Sequence, residues 1–288
     1  MSKSGNIGMK ARSVIGSTLI YILLGVMSII WLTPVAWLII RSFQGEKGAW
    51  ITTILPQQYT FSNYTRLFTE RQLFDYPQWF MNTLIVAIFT CILSTILVLM
   101  ISYTFSRLRF ASRTKFMNVG LILSMFPGFM TMIAVYHILK AFGLYQSFIS
   151  LVLVYSCNAS LSYFIAKGFF DTIPRALDEA AMLDGATRNQ VFWRITLPMS
   201  KPIVIYTVLI SFMAPWTDFI FASVIMKDNY SKYTLAVGLF RMLERENIYE
   251  YFTRFCAGAV LIAIPITILF IIFQKYYVEG VTGGATKG

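Results

Sequence analysis

Six stretches of the chain run almost without charge, and polar segments separate them. They extend from about Ser13 to Ile40, Asn82 to Tyr103, Phe116 to Leu139, Phe148 to Ala166, Ile203 to Met226 and Ala257 to Tyr277. At ~1.5 Å per residue, about 20 apolar residues carry a helix across the hydrocarbon core of a bilayer. None of the six alternates with the period of two that a membrane barrel strand requires. The fourth is the least oily, because Ser150, Ser156, Asn158, Ser160 and Ser162 interrupt it, yet no charge lies between 148 and 166. The pattern predicts an all-α integral membrane protein with six transmembrane helices. It divides the chain into an N-terminal tail (1–12), a first span (13–40), an outer loop (41–81), a five-helix core (82–277) and a C-terminal tail (278–288). The core holds one long polar loop at about 167–202.

Composition supports lipid as the solvent. Hydrophobic residues make up 57% of the 288 and charged residues only 13%, whereas a soluble domain carries roughly a quarter charged. The formal charge of +11 raises nucleic acid as a partner, but its distribution argues otherwise. With a cytoplasmic N-terminus, fourteen of the 24 basic residues fall in inner segments, four of them between Arg107 and Lys115. That asymmetry is topological, and an even number of spans places both termini in the cytoplasm of a cell membrane. No nucleic-acid partner is expected. The first apolar run lacks a small-x-small cleavage pattern and reads as a retained span. Cys91, Cys157 and Cys256 are too widely spaced to suggest a disulfide framework or a metal site.

Several spans contain helix breakers: Pro34, the Pro127-Gly128 pair, Pro215 and Pro265. Each proline removes a backbone donor and kinks a helix, either within a packed bundle or around a pathway that opens. Asp218 is the one acid placed well inside a span, so it needs a cavity or a partner. Tyr155, Asn158 and Asp218 are candidates for a solute path lined by hydroxyl-bonding and aromatic groups; structural hydrogen bonding is the alternative for Asp218, and close helix packing by small polar residues for Asn158. His137 has no Cys or acidic neighbour at ligand spacing and reads as an interfacial side chain.

The loop "DTIPRALDEAAMLDGATRNQVFWRITLPMSKP" is punctuated as two short helices. Pro174 suits a first helical turn, with Asp171 or Thr172 as cap. Leu177, Ala180 and Ala181 form a stripe of mostly small residues, and Asp178 and Glu179 are expected on solvated faces. Gly185 ends the first helix, and Thr187 with Gln190 opens the second with a capping box. Glu179, Ala180, Ala181, Gly185, Ile195, Leu197 and Pro198 together resemble the "EAA" loop of ABC importer permeases, and Asp184 and Ala186 fit the longer form found in sugar importers. "SYTFSRLRF", "FPGFM", "YTLAVGL" and "GGATKG" are similar to the MalG-type maltose/maltodextrin permease family, over about Asn82 to Gly288.

The resemblance implies a type I importer fold (MetI-like) in a permease subunit that moves an oligosaccharide. It implies a second homologous permease, two ATPase subunits and an extracytoplasmic sugar-binding protein as partners. Glu179, Ala180, Ala181, Asp184, Gly185 and Ala186 would couple to the ATPase, with Glu179 meeting a basic partner and Gly185 making the bend. The outer charges Glu244, Arg245 and Glu246 are candidates for binding-protein contact. There is no phosphate-binding loop of the G-x-x-x-x-G-K-[ST] type, and no nucleophile or metal constellation. The chain is therefore expected to be non-catalytic and without cofactor, with ATP and magnesium held by the partner ATPases. An ion-coupled secondary transporter would need more intramembrane ionisable residues and repeated halves.

Overall fold

A computed structural model describes residues 9–48, 55–157 and 160–282. Its regular structure is helical: α1 (Met9–Ser42), α2 (Ser62–Thr69), α3 (Tyr76–Arg107), α4 (Arg113–Ser124), α5 (Gly128–Ala141), α6 (Phe148–Cys157), α7 (Ser160–Thr172), α8 (Arg175–Leu183), α9 (Arg188–Val191), α10 (Leu197–Met199), α11 (Lys201–Thr217), α12 (Ile220–Met226), α13 (Leu235–Met242) and α14 (Ile248–Thr282). A five-residue π-helix, Phe192–Thr196, joins α9 to α10. Among the described residues, the one β-contact is an isolated bridge between Gln44 and Tyr59.

Three single helices are long and apolar enough to cross a bilayer: Gly16–Ser42, Tyr76–Arg107 and Ile248–Lys275. Three bent pairs bring the number of candidate crossings to six. The third stretch is not the single rod expected over 116–139, because α4 and α5 meet at 104°. Pro127 begins α5 with extended backbone (ψ 128°), where its missing N–H costs nothing. Pro34 and Pro265, by contrast, lie inside continuous helices. In the fifth stretch, α11 stops at Thr217, Asp218 is extended, and α12 resumes two residues later.

Two apolar cores stack along α3. The larger gathers Trp79, Val86, Leu151, Trp216, Met226, Tyr233, Leu235 and Met242, at the end where α3 begins. Side chains of α3 sew this end together. The Asn82 amide donates to the Ser231 and Tyr233 carbonyls at 2.9 Å, Thr83 Oγ1 accepts from the Leu235 N–H at 2.7 Å, and Tyr76 donates to the Gly258 carbonyl at 3.1 Å. Gly238 is there because nothing larger fits: a Cβ would lie 2.0 Å from the Trp79 ring. The smaller core holds Val98, Leu99, Ala166, Phe170, Ile173, Phe192 and Ile203 at the opposite end, beneath the 167–202 loop.

Candidate functional site

The loop folds as two helices in an angled pair, and its local chemistry explains each boundary. Pro174, not Asp171 or Thr172, occupies the position before α8, and no side chain caps that start. At the other end the Ala186 N–H reaches the Ala181 carbonyl at 2.9 Å, and the Gly185 N–H reaches that of Met182 at 3.1 Å. This is the paired closure of a Schellman motif, and it demands a left-handed residue. Gly185 supplies it, with φ +87°. A Cβ at Gly185 would meet open space, so the requirement is conformational, not steric.

Thr187 then opens α9. Its Oγ1 accepts from the Gln190 N–H at 3.3 Å, and Gln190 Oε1 accepts from the Thr187 N–H at 2.7 Å. The π-turn follows, and the helix breaks at Ser200, whose hydroxyl donates to the Thr196 carbonyl at 2.6 Å. The chain turns 83° there into α11. Pro198 and Pro202, one turn apart on either side, withhold two of the N–H groups that a continuous helix would use.

The two faces of α8 differ sharply. Leu177, Glu179, Ala180, Met182 and Asp184 are exposed, Ala181 and Ala186 are half-buried, and Leu183 is 89% exposed. Glu179 makes no ion pair among the described residues. Asp178 was expected beside it on a solvated face and is instead buried, with Oδ2 3.2 Å from Arg107 Nε. One residue of helix rotates a side chain by ~100°, enough to separate two adjacent acids. Arg107 also donates from Nη2 to the Phe170 and Ile173 carbonyls at 3.0 and 2.9 Å. Those oxygens belong to the frayed end of α7, where a cation also meets the negative end of the helix dipole. Removing one partner from such a buried pair typically costs about 3–5 kcal/mol.

The other candidates lie elsewhere. The Tyr155 hydroxyl donates to Asp218 Oδ2 at 2.6 Å, and the same carboxylate accepts the Phe221 and Ala222 N–H groups at 3.3 and 3.0 Å. Asp218 thus caps α12 and occupies the gap in the fifth stretch. Asn158 falls outside the described residues. His137 is exposed on α5, against the edge of Tyr136. Glu244, Arg245 and Glu246 form the turn between α13 and α14, with Arg245 and Glu246 exposed and Glu244 paired to Arg241 at 2.7 Å. Arg241 also donates to the Tyr233 hydroxyl at 3.1 Å, which itself donates to the Lys227 carbonyl. Burial raises the Tyr233 phenol above its usual value.

The sequence reading missed Arg107 and Asp178. Arg107 was counted only as a topological charge, and Asp178 only as the neighbour of Glu179. The available signal was an arginine at the last turn of the second apolar run.

A family model described as binding-protein-dependent transport system inner membrane component matches residues 103–283, a stretch that contains the whole loop. The chain belongs to this family. It has relatives along nearly its full length. It is 36% identical to the galactooligosaccharides transport system permease protein GanQ of Bacillus subtilis, over 97% of this chain and 99% of that one. It is 32% identical to the maltodextrin transport system permease protein MdxG of the same organism, over 93% and 95%. The maltose/maltodextrin permease MalG of Escherichia coli is 36% identical over 73% of this chain and 72% of its own length. The fold is that of ABC importer permeases. A bacterial transporter that imports the acidic polysaccharide alginate superimposes with a TM-score of 0.76 at 23% identity, covering 92% of this chain and 98% of that one. The MetNI methionine transporter follows at 0.54 and 13% identity, over 74% and 98%. The protein is a multi-pass membrane permease component of the ABC importer class.

Proposed function

We propose that this chain forms half of the translocation pathway of an oligosaccharide importer and receives its driving force through α8. The carrying observation is the exposed face of that helix, with Glu179, Ala180, Ala181 and Asp184 closed by the Gly185 turn in a chain of this family. Small side chains permit close approach of a partner, and Glu179 offers it a charge. The partner in this reading is one of two ATPase subunits, which hold ATP and magnesium; this chain supplies no catalytic group. A second homologous permease completes the pathway, and an extracytoplasmic binding protein delivers the sugar. Both termini and the α8 loop face the cytoplasm, consistent with the basic residues gathered at that end. The exposed turn at Arg245 and Glu246, with Glu244, then faces outward as the binding-protein contact.

The relatives that align along nearly the whole chain carry galactooligosaccharides and maltodextrins, which favours a neutral oligosaccharide as cargo. Tyr155 and Asp218 would meet it only by exchanging their mutual hydrogen bond. ATP-driven closure of the motor subunits shifts the bundle only if α8 is bound differently in the two states. The test is purification of the assembled complex from native membrane, followed by reconstituted uptake of labelled galacto- and malto-oligosaccharides. ATP-dependent uptake of one of these series, requiring the binding protein, is expected. Uptake that persists without ATP, or accumulates only amino acids, would overturn the reading.

A further inference from the structure

The loop hangs by its chain ends from α7 and α11, yet its tightest side-chain hold is on α3, a helix distant in sequence. Arg107, in the last turn of α3, has a side chain only 5% exposed and meets Asp178 in the middle of α8. The same guanidinium bonds the Phe170 and Ile173 carbonyls at the start of the loop. Ser106 adds a hydroxyl to Asp171 Oδ1 at 2.6 Å, and Arg175 returns a bond to the Ser106 carbonyl at 3.3 Å. One turn earlier, Tyr103 packs on Phe192, the first residue of the π-helix, with ring centroids 4.7 Å apart. Thus α3 holds the loop at its start, on α8 and on the π-helix.

We propose that Arg107 and Asp178 are positioning residues that deliver the movement of α8 into α3. On this view α3 takes the stroke directly, in addition to the two helices that flank the loop. The inference rests on the coupling reading of α8. The Arg107 guanidinium hydrogen-bonds both carbonyls from Nη2 and pairs electrostatically, without a hydrogen bond, with the buried Asp178 carboxylate 3.2 Å from Nε, so one group ties the start of the loop and α8 to α3. Rotation of α8 therefore drags Asp178, then Arg107, then the end of the helix whose other end is sewn into the larger core.

The test uses the full complex in liposomes and reads oligosaccharide uptake per ATP hydrolysed, normalised to assembled complex. Asp178→Asn is expected to lower that ratio about tenfold, a typical size for coupling between two sites. Asp178→Glu, which keeps the charge, should recover at least half of it. Arg107→Lys keeps a cation but lacks the fork, and should lower the ratio several-fold. The double variant Arg107→Met with Asp178→Asn should match Arg107→Met alone within about twofold, because one clamp can be lost only once. An unchanged ratio in Asp178→Asn, or losses that multiply in the double variant, would overturn the proposal. Should Asp178→Asn not assemble, an unchanged ratio in Arg107→Lys would overturn it equally. A wild-type complex with no ATP-dependent uptake would instead sink the importer reading itself.

Discussion

The two ends of the bundle are held together by different physics. Where α3 begins, large aromatic and aliphatic side chains fill a continuous core, and glycines admit rings at contact distance. Where α3 ends, a smaller core of seven buried apolar residues sits beneath a loop that is also fastened by a buried ion pair and hydrogen bonds to carbonyls. Packed interiors resist deformation, since a small volume change is felt at once. A charged clamp tolerates changes of shape around it but not changes of charge. On the proposed coupling, the first end stays fixed and the second is moved.

The sharpest way to break this contrast is to add volume at the fixed end. Gly238→Ala places a methyl group into the Trp79 ring, with overpacking costs typically about 1–3 kcal/mol. Its unfolding midpoint in detergent should fall more than that of any single methyl addition on the exposed face of α8. Uptake per ATP in the complex that survives should stay normal. A thermally unaffected Gly238→Ala would show that the larger core is not close-packed.

Tyr155→Phe comes next. It removes a donor from the Asp218 carboxylate, and hydrogen bonds to charged groups contribute about 1.5–3 kcal/mol. If the pair is a structural joint in the fifth stretch, stability falls and the apparent sugar affinity does not change. If it lines the path, the KM for uptake shifts as well, which makes this variant a direct discriminator between the two readings of Asp218.

Gly185→Val has a smaller cost in stability, about 1–2 kcal/mol for a left-handed residue with a Cβ, but a specific consequence for transport. It opens the Schellman turn and changes the angle between α8 and α9. Binding-protein-stimulated ATP hydrolysis and uptake, measured together, should become uncoupled. Intact values of both would remove Gly185 from the coupling machinery.

The smallest expected effect is a pH dependence at the fixed end. The Arg66 side chain, followed by the nearby Arg254 charge, holds the Glu70 carboxyl below its ordinary value. A depressed folded-state value means that this group stabilises above the unfolded value, and that the stabilisation is lost as pH falls through the folded one. Thermal unfolding between about pH 5 and pH 3 should therefore fall slightly less steeply in Glu70→Gln than in wild type. Parallel curves would show that the pair contributes nothing.

Much of this architecture was legible in the residues. The six apolar runs, the left-handed turn at Gly185 and the Thr187–Gln190 box are local features, set by side chains within a few positions of each other. The break between α4 and α5 was harder to read. Pro34 and Pro265 carry the same chemistry as Pro127 yet sit in continuous helices, so proline alone does not announce a 104° turn. Asp178 was misplaced for a related reason. Periodicity puts it ~100° from Glu179, but only the fold reveals that Arg107 waits on that side. Asp218 was recognised as needing a partner, and Tyr155 was named beside it, though the carboxylate's capping of α12 depends on a helix break that hydropathy does not show.

In the proposed mechanism α8 is the surface on which a motor subunit pushes. A photocrosslinking side chain at Leu183, the most exposed large residue of that helix, tests it most directly in native membrane. Capture of an ATPase subunit is expected, with a yield that changes when nucleotide is trapped. The same probe at Phe68, on α2 near the fixed end, should capture none. Equal capture at the two positions, or none at Leu183 in a complex that still imports sugar, would contradict it.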